Sequence, residues 1–407
     1  MYLQFAWRYF KAKKSAHAIN IIAWVTTGII AFATCCQILV LSVFNGFEEL
    51  VTSLYSSFYT DLKVIPAQGK TFVLSPSQLQ SIRTQGYIEQ ISCIAEEKAL
   101  LQNENAQTIV QLKGVDNHYT QVNQLAGSIV KGQYQIGTKE QPMLVMGSGI
   151  QNATGISLNP AFGPEQLTVI LPRKNNVASN DLLSSLSEGN IVPAGSFSIQ
   201  QDFDNSYAIT NIDFVKQQMH LEENEYAAVE IKLKEPSKMT ESRDRLQSLL
   251  GKQYVVQTKF QQNATLYNTM KMEKWAIFAL LTLIVLIAAF NMISALTMLV
   301  LEKQQDIAIL RSMGTQAWQV KKIFLAEGLL LGLIGSLVGM GTATIICLLQ
   351  MKYKLVPLLG GSFLIDYFPV KLIATDFLLV FTTVMAITLL ASWMPASKAA
   401  KEQWALH

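Results

Sequence analysis

The four histidines of this chain, His17, His118, His220 and His407, stand far apart, and none has a second ligand at metal-binding spacing. No Walker-type phosphate loop, His-Glu-x-x-His pair, Cys-x-x-Cys or Gly-x-Ser-x-Gly elbow occurs. Covalent and metal chemistry are therefore not expected, and neither is a cofactor bound by the chain itself. The stretch that carries function is instead Glu302-Lys-Gln-Gln-Asp-Ile-Ala-Ile-Leu-Arg-Ser-Met-Gly314. It is polar, yet it sits between the two most hydrophobic segments, Trp275–Leu301 and Ile323–Leu349, each long enough to cross a bilayer at roughly 20 apolar residues per span. Ile307, Leu310 and Met313 recur every three residues, which predicts a short amphipathic helix. Lys303, Gln304 and Arg311 fall elsewhere on it. Gly314 supplies a C-cap, and Thr315 is placed to cap the next helix. Such a helix at a membrane exit offers its apolar edge to the lipid surface or to a docking partner. Work done by the chain would then be powered through that partner.

The elements around this stretch follow from composition. Half of the residues are hydrophobic and 15% are charged, but the charge is segregated. Four apolar spans are expected at 19–44, 273–301, 323–349 and 372–395, with a block of soluble composition at 45–272. Residues 1–18 mix aromatics with Arg8, Lys11, Lys13 and Lys14, the pattern of an interfacial helix. The first span exceeds the h-region of a signal peptide and is expected to remain uncleaved. Within it, Thr27, Ala31, Thr34 and Gln37 share one face suited to helix packing. The net charge of +3 gives no support to nucleic-acid binding. Cys35, Cys36 and Cys347 lie in spans, and Cys93 is alone in the soluble block, where no disulfide is expected.

That block reads as an α+β domain, in one lobe or two. Strands are expected over 62–66, 108–115, 143–146, 167–171, 227–233 and 254–258, and helices over 76–85, 211–220 and 238–250, with Ser75 and Ser237 as caps. The polar stretch from Pro172 through Arg173, Lys174 and Asn175 to Pro193 reads as a long loop. In the second span, Ala288, Asn291 and Ala295 share a face, and an Asn at that depth calls for a helix contact or a wet cavity. In the third, Gly328, Gly332, Gly335 and Gly339 form one stripe, a packing face rather than a phosphate loop. A short segment at 350–371 and a tail at 396–407 complete the chain. Four spans put the soluble block and 350–371 on one side. The other side holds the tails and the 302–322 connection, with Lys303, Arg311, Lys321, Lys322, Lys398 and Lys401 among its cations, and the positive-inside rule places it in the cytoplasm.

Glu302 through Gly314, followed by Ile323-Phe324 and Glu327-Gly328, resembles the coupling segment of FtsX/MacB-type ABC permeases. Leu41-Ser-Val-Phe-Asn-Gly-Phe-Glu48 is similar to the LolC/LolE branch. The resemblance covers essentially the whole chain. It implies an inner-membrane permease subunit with a MacB-like periplasmic domain that extracts lipoproteins and passes them to a periplasmic chaperone. ATP would be bound by a LolD-like ATPase subunit docked through Glu302, Lys303, Asp306, Ile307, Leu310, Arg311 and Gly314. A second permease subunit, identical or a sister, would complete the unit within membrane lipid. By position, the loop at Pro172–Asn175 would be a chaperone contact. Two other functions remain open in the superfamily: a MacB-like mechanotransmission exporter, and an FtsX-like transmitter that activates cell-wall hydrolases. The tail Met394-Pro-Ala-Ser-Lys-Ala-Ala400 keeps the family's Pro-Ala-x-x-Ala-Ala pattern but departs from it after Lys401.

Overall fold

The computed structural model describes residues 17–401 apart from 57, 105, 159–164, 175–184 and 359–366, with side chains described from Ile21 onward. The chain divides into two compact units, Met1–Leu50 with Asn268–Gly360 and Leu364–His407, and Val51–Tyr267 with Gly361–Phe363.

The first unit is built on four helices long and apolar enough to cross a membrane, Ile21–Ser56, Ala264–Glu302, Ala317–Tyr353 and Ala374–Lys401. They overrun the apolar spans expected from composition, the fourth at its C-terminal end only. The first helix in full, His17–Ser56, does not stop at residue 44 but passes through Asn45 and Gly46 to Ser56. Gly46 is tolerated there because a β-carbon would lie 2.3 Å from the Pro369 carbonyl oxygen, so only glycine permits the approach. The fourth helix passes through Pro395 without ending. Between the third and fourth helices the chain folds back on Gln350, whose side chain accepts the Val356 N–H at 2.9 Å and donates to the Phe368 carbonyl at 3.2 Å. The packed interior draws on all four helices, with Ile30, Val285, Leu331 and Val384 among its buried members.

The second unit is α+β. Its strands are β1 (Leu62–Pro66), β2 (Phe72–Val73), β3 (Ile88–Asn103), β4 (Ala106–Val115), β5 (Ile129–Gly132), β6 (Met143–Gly147), β7 (Leu167–Pro172), β8 (Leu186–Phe197), β9 (Tyr207–Asn211), β10 (Glu225–Tyr226), β11 (Ala228–Leu233) and β12 (Tyr254–Thr258). Ten of them form one sheet, nine along the path β12-β1-β11-β3-β4-β9-β6-β8-β5 and β7 beside it. Strand β7 pairs with both β3 and β8, so β3, β4, β9, β6, β8 and β7 close into a ring. β2 and β10 pair separately. A continuous core lies within and beside this sheet, including Leu101, Leu112, Met146, Val169 and Ile231.

Of the two expected caps, one forms and one does not. Ser75 does cap its helix, in a reciprocal box with Gln78. Ser237 falls inside a short 3-10 turn instead, and the helix Met239–Leu250 starts from Lys238 without a side-chain cap. The loop expected from Pro172 to Pro193 is shorter than that, because β8 already begins at Leu186 and pairs with β7 from Pro172 to Leu167.

Candidate functional site

The connection between the second and third membrane helices contains a helix at Gln304–Ser312, set off from Ala264–Glu302 by a turn at Lys303. Its end is a Schellman motif: the Gly314 N–H donates to the Arg311 carbonyl at 2.9 Å and the Thr315 N–H to the Leu310 carbonyl at 3.1 Å. Gly314 takes φ +89°, a conformation that favours glycine. The third helix is then capped by Gln316, not Thr315, through a reciprocal box with Gln319.

The apolar residues of this helix divide into two sets. Ile307 and Ala308 are buried, and Ile307 packs with Val300, Val320, Phe324, Ala396 and Ala399 of the same chain. Ile307 is therefore not part of an edge offered to a partner, as its spacing with Leu310 suggested. It is an internal anchor, seated on the small residues of the Pro-Ala-x-x-Ala-Ala tail. Leu310 is half-buried. The outward apolar surface consists of Ile309, Met313 and, in the next helix, Trp318, of which Met313 is 78% exposed.

The charges are arranged around that division. Lys303 and Asp306 form an ion pair at 3.2 Å along the helix. The Arg311 guanidinium donates to the Ala400 carbonyl in the last turn of the fourth helix. A cation on a C-terminal carbonyl satisfies an acceptor that the helix cannot satisfy itself. Lys321 stacks over the Trp393 ring at 3.5 Å, tying the third helix to the fourth, while Lys322 lies over Trp318 of its own helix at 4.3 Å. Glu302 is exposed, while Glu327, one residue before Gly328, is buried. Cation and small-residue contacts thus brace the Gln304–Ser312 helix against the fourth helix.

The glycine stripe has two partners. A β-carbon at Gly328 would lie 2.4 Å from Ser392 Cβ, and one at Gly332 would lie 2.6 Å from Thr388 Oγ1, both on the fourth helix. At Gly335 it would meet Ile30 Cγ2 at 2.9 Å, and at Gly339 the Ala31 carbonyl oxygen at 2.4 Å, both on the first helix. The first-helix face of Thr27, Ala31 and Thr34 thus receives the lower half of the stripe. Asn291 does not join any of this. It is exposed, while its neighbours Ala288 and Ala295 are buried.

In the second unit, Lys174 pairs with Glu225, which also accepts from the Thr71 hydroxyl. Burial alone would raise the Glu225 carboxyl, but these donors outweigh it and hold it below the usual range. The Arg173 N–H donates to the Ser185 carbonyl at 2.8 Å, closing the base of the loop. Asn175 lies outside the described residues. Among the described residues no group of three or more His, Cys, Asp or Glu could hold a metal ion.

Residues 278–403, which include all of the braced region, match the FtsX-like permease C-terminal family. The chain is 24% identical to the lipoprotein-releasing system transmembrane protein LolE of Haemophilus influenzae, over 98% of this chain and 96% of that one. It is 25% identical to LolC of Neisseria meningitidis over 97% and 96%. Over nearly its whole length the chain is similar to LolC and LolE proteins. Among solved structures, the periplasmic region of MacB from Actinobacillus actinomycetemcomitans covers 53% of this chain and 95% of its own, with 14% identity and a TM-score of 0.35. Spacing alone did not single out Ile309 and Trp318 as the outward apolar residues of this connection. Their signal was available only in the tail, where a run of small residues marks a seat for Ile307.

Proposed function

We propose that this chain is the transmembrane permease subunit of an ABC transporter that extracts lipoproteins from the inner membrane, driven by a separate ATPase. The observation that carries the reading is similarity to LolE and LolC proteins across nearly the full length of both chains. The braced helix agrees with it, since a subunit driven from outside needs a rigid surface for the motor to push. In this reading the ATPase docks on Ile309, Met313 and Trp318, with the Lys303–Asp306 pair at the rim. Glu302, Leu310 and Gly314 border that surface, while Ile307 and Arg311 act behind it. The second unit lies in the periplasm, where the loop based on Pro172, Arg173 and Lys174 meets a lipoprotein chaperone. A second permease subunit, identical or a sister, completes the transporter.

The test is ATP-dependent release of a radiolabelled lipoprotein from proteoliposomes that hold this chain, its sister permease and the ATPase, with the chaperone in solution. Release is expected only with ATP and chaperone together. An intact complex that hydrolyses ATP yet releases no lipoprotein would overturn the reading.

A further inference from the structure

At the end of the bundle where the first helix runs on toward Ser56, three helices meet through one polar cluster. Asn45 of the first helix donates from Nδ2 to Asp376 Oδ2 of the fourth at 2.6 Å. Its Oδ1 accepts from Lys274 Nζ of the second at 2.7 Å. Lys274 and Asp376 face each other at 3.4 Å. A carboxamide fits this position because it presents a donor to the carboxylate and an acceptor to the ammonium at once. An aspartate there would repel Asp376, and an apolar residue would take one hydrogen-bond partner from each of the two charges. Asn45 is 2% exposed, so these groups are exchanged for protein contacts rather than left in water.

Two turns deeper, about 12 Å at 1.5 Å per residue, the first and second helices meet again through Gln37 and Thr282. Gln37 Nε2 donates to Thr282 Oγ1 at 3.2 Å, and the Thr282 hydroxyl donates to the Phe278 carbonyl at 2.8 Å. The Thr282 proton is thereby committed, so turning the amide around would not give Gln37 Oε1 a donor. That oxygen is buried without a hydrogen-bond partner, on a residue with no exposed surface. A buried acceptor without a donor destabilises the arrangement that buries it. Admission of water between the two helices would satisfy it. The first and third helices join differently, by glycine contacts that no water could improve.

We propose that Asn45, Lys274 and Asp376 form a latch over a separable seam between the first and second membrane helices, and that Gln37 biases the seam toward opening. The closed state is held at its end by charge-assisted hydrogen bonds. Releasing them lets the helices part as far as Gln37 while the first, third and fourth helices stay joined. The Asn45-Gly46-Phe47 stretch then has two tasks. Asn45 holds the latch, and Gly46 and Phe47 fix the adjoining chain, with Phe47 edge-on to Phe368 at 5.9 Å.

The test uses the full chain in native membranes, with Cys35, Cys36, Cys93 and Cys347 replaced by alanine. A thiol introduced by Gln37→Cys is exposed to a small charged methanethiosulfonate, and its modification rate is compared with and without Lys274→Met. Modification is expected to quicken roughly tenfold in Lys274→Met, as loss of a hydrogen bond to a charged group would shift an opening equilibrium. Lys274→Arg, which keeps the cation, should restore slow modification. Ile30→Cys, set against Gly335, should stay slow throughout. An unchanged rate at Gln37→Cys overturns the latch. Equal acceleration at Ile30→Cys overturns the seam, because the whole bundle would then have loosened. The readout requires no transport, so its failure is separate from failure of the transporter reading.

Discussion

Ile307 and Met313 are six residues apart and equally apolar, and the structure gives them opposite surroundings. Ile307 is 2% exposed and packed on Ala396 and Ala399; Met313 is 78% exposed. Ile307→Asp would bury a carboxylate with no partner, at a cost of several kcal/mol, and should lower the thermal stability of the purified permease. Met313→Asp should leave stability within about 0.5 kcal/mol, as for surface changes, yet remove the ATPase from a pull-down. Equal retention of the ATPase by Met313→Asp and the unsubstituted chain would exclude this face as the docking surface. Glu225 supplies a pH-dependent case. Its carboxyl is held below the ordinary value of 4.5, so the folded state binds the proton more weakly than the unfolded one. Its stabilising contribution is therefore complete above that value and is lost as pH falls through the lower folded value. Unfolding midpoints of the full chain should drop on acidification from pH 5 downward, and Glu225→Gln should flatten that part of the slope. A variant with an unaltered slope would assign the acid sensitivity to other carboxylates.

Among the helices, the glycines of the third predict a graded set of substitutions. Gly332→Leu must displace Thr388, and Gly335→Leu must displace Ile30, where a single β-carbon already comes closer than 3 Å. Overpacking of this kind costs about 1–3 kcal/mol, and more where backbone must move. Gly341 has nothing within 4 Å, so Gly341→Leu is the matched control and should be tolerated. Folded yield in detergent ranks the three; a ranking with Gly341→Leu worst would place the stripe on the wrong face. The stripe was legible in the sequence because spacing alone defines a helix face. Its division between two partner helices was not, since that depends on where Thr388 and Ile30 arrive from. β3 escaped the pattern because Glu96, Glu97 and Lys98 interrupt its alternation. The structure matches Glu96 with Lys63 at 3.5 Å, across a neighbouring strand. β8 escaped because Gly189, Pro193 and Gly195 read as turn residues. Pro193 sits at a register shift where β8 meets β6, a place a strand accepts proline. The inward Ile307 was hidden for a similar reason, as its seat lies ninety residues further along, in the tail.

For the whole molecule, the open variable is which side of the membrane holds the short connections, and charge supplies the expectation to be tested. Lys303, Arg311, Lys321, Lys322, Lys398 and Lys401 belong to short segments at one end of the four helices, and the first residues add Arg8, Lys11, Lys13 and Lys14. Short cationic segments stay in the cytoplasm. A thiol from Gln316→Cys, which is exposed in the Gln304–Ser312 connection, should resist a membrane-impermeant maleimide in intact spheroplasts and react once the membrane is opened. A thiol from Asn175→Cys should react in intact spheroplasts. Native background is low for a physical reason. Burial first, and the Asp116 carboxylate second, push the Cys93 thiol up to about 12, so it holds almost no thiolate at neutral pH. Cys35, Cys36 and Cys347 lie within the membrane helices, away from an impermeant reagent. The opposite labelling pattern would put the braced helix outside the cell, where no ATPase could reach it, and the transporter reading would fall with it.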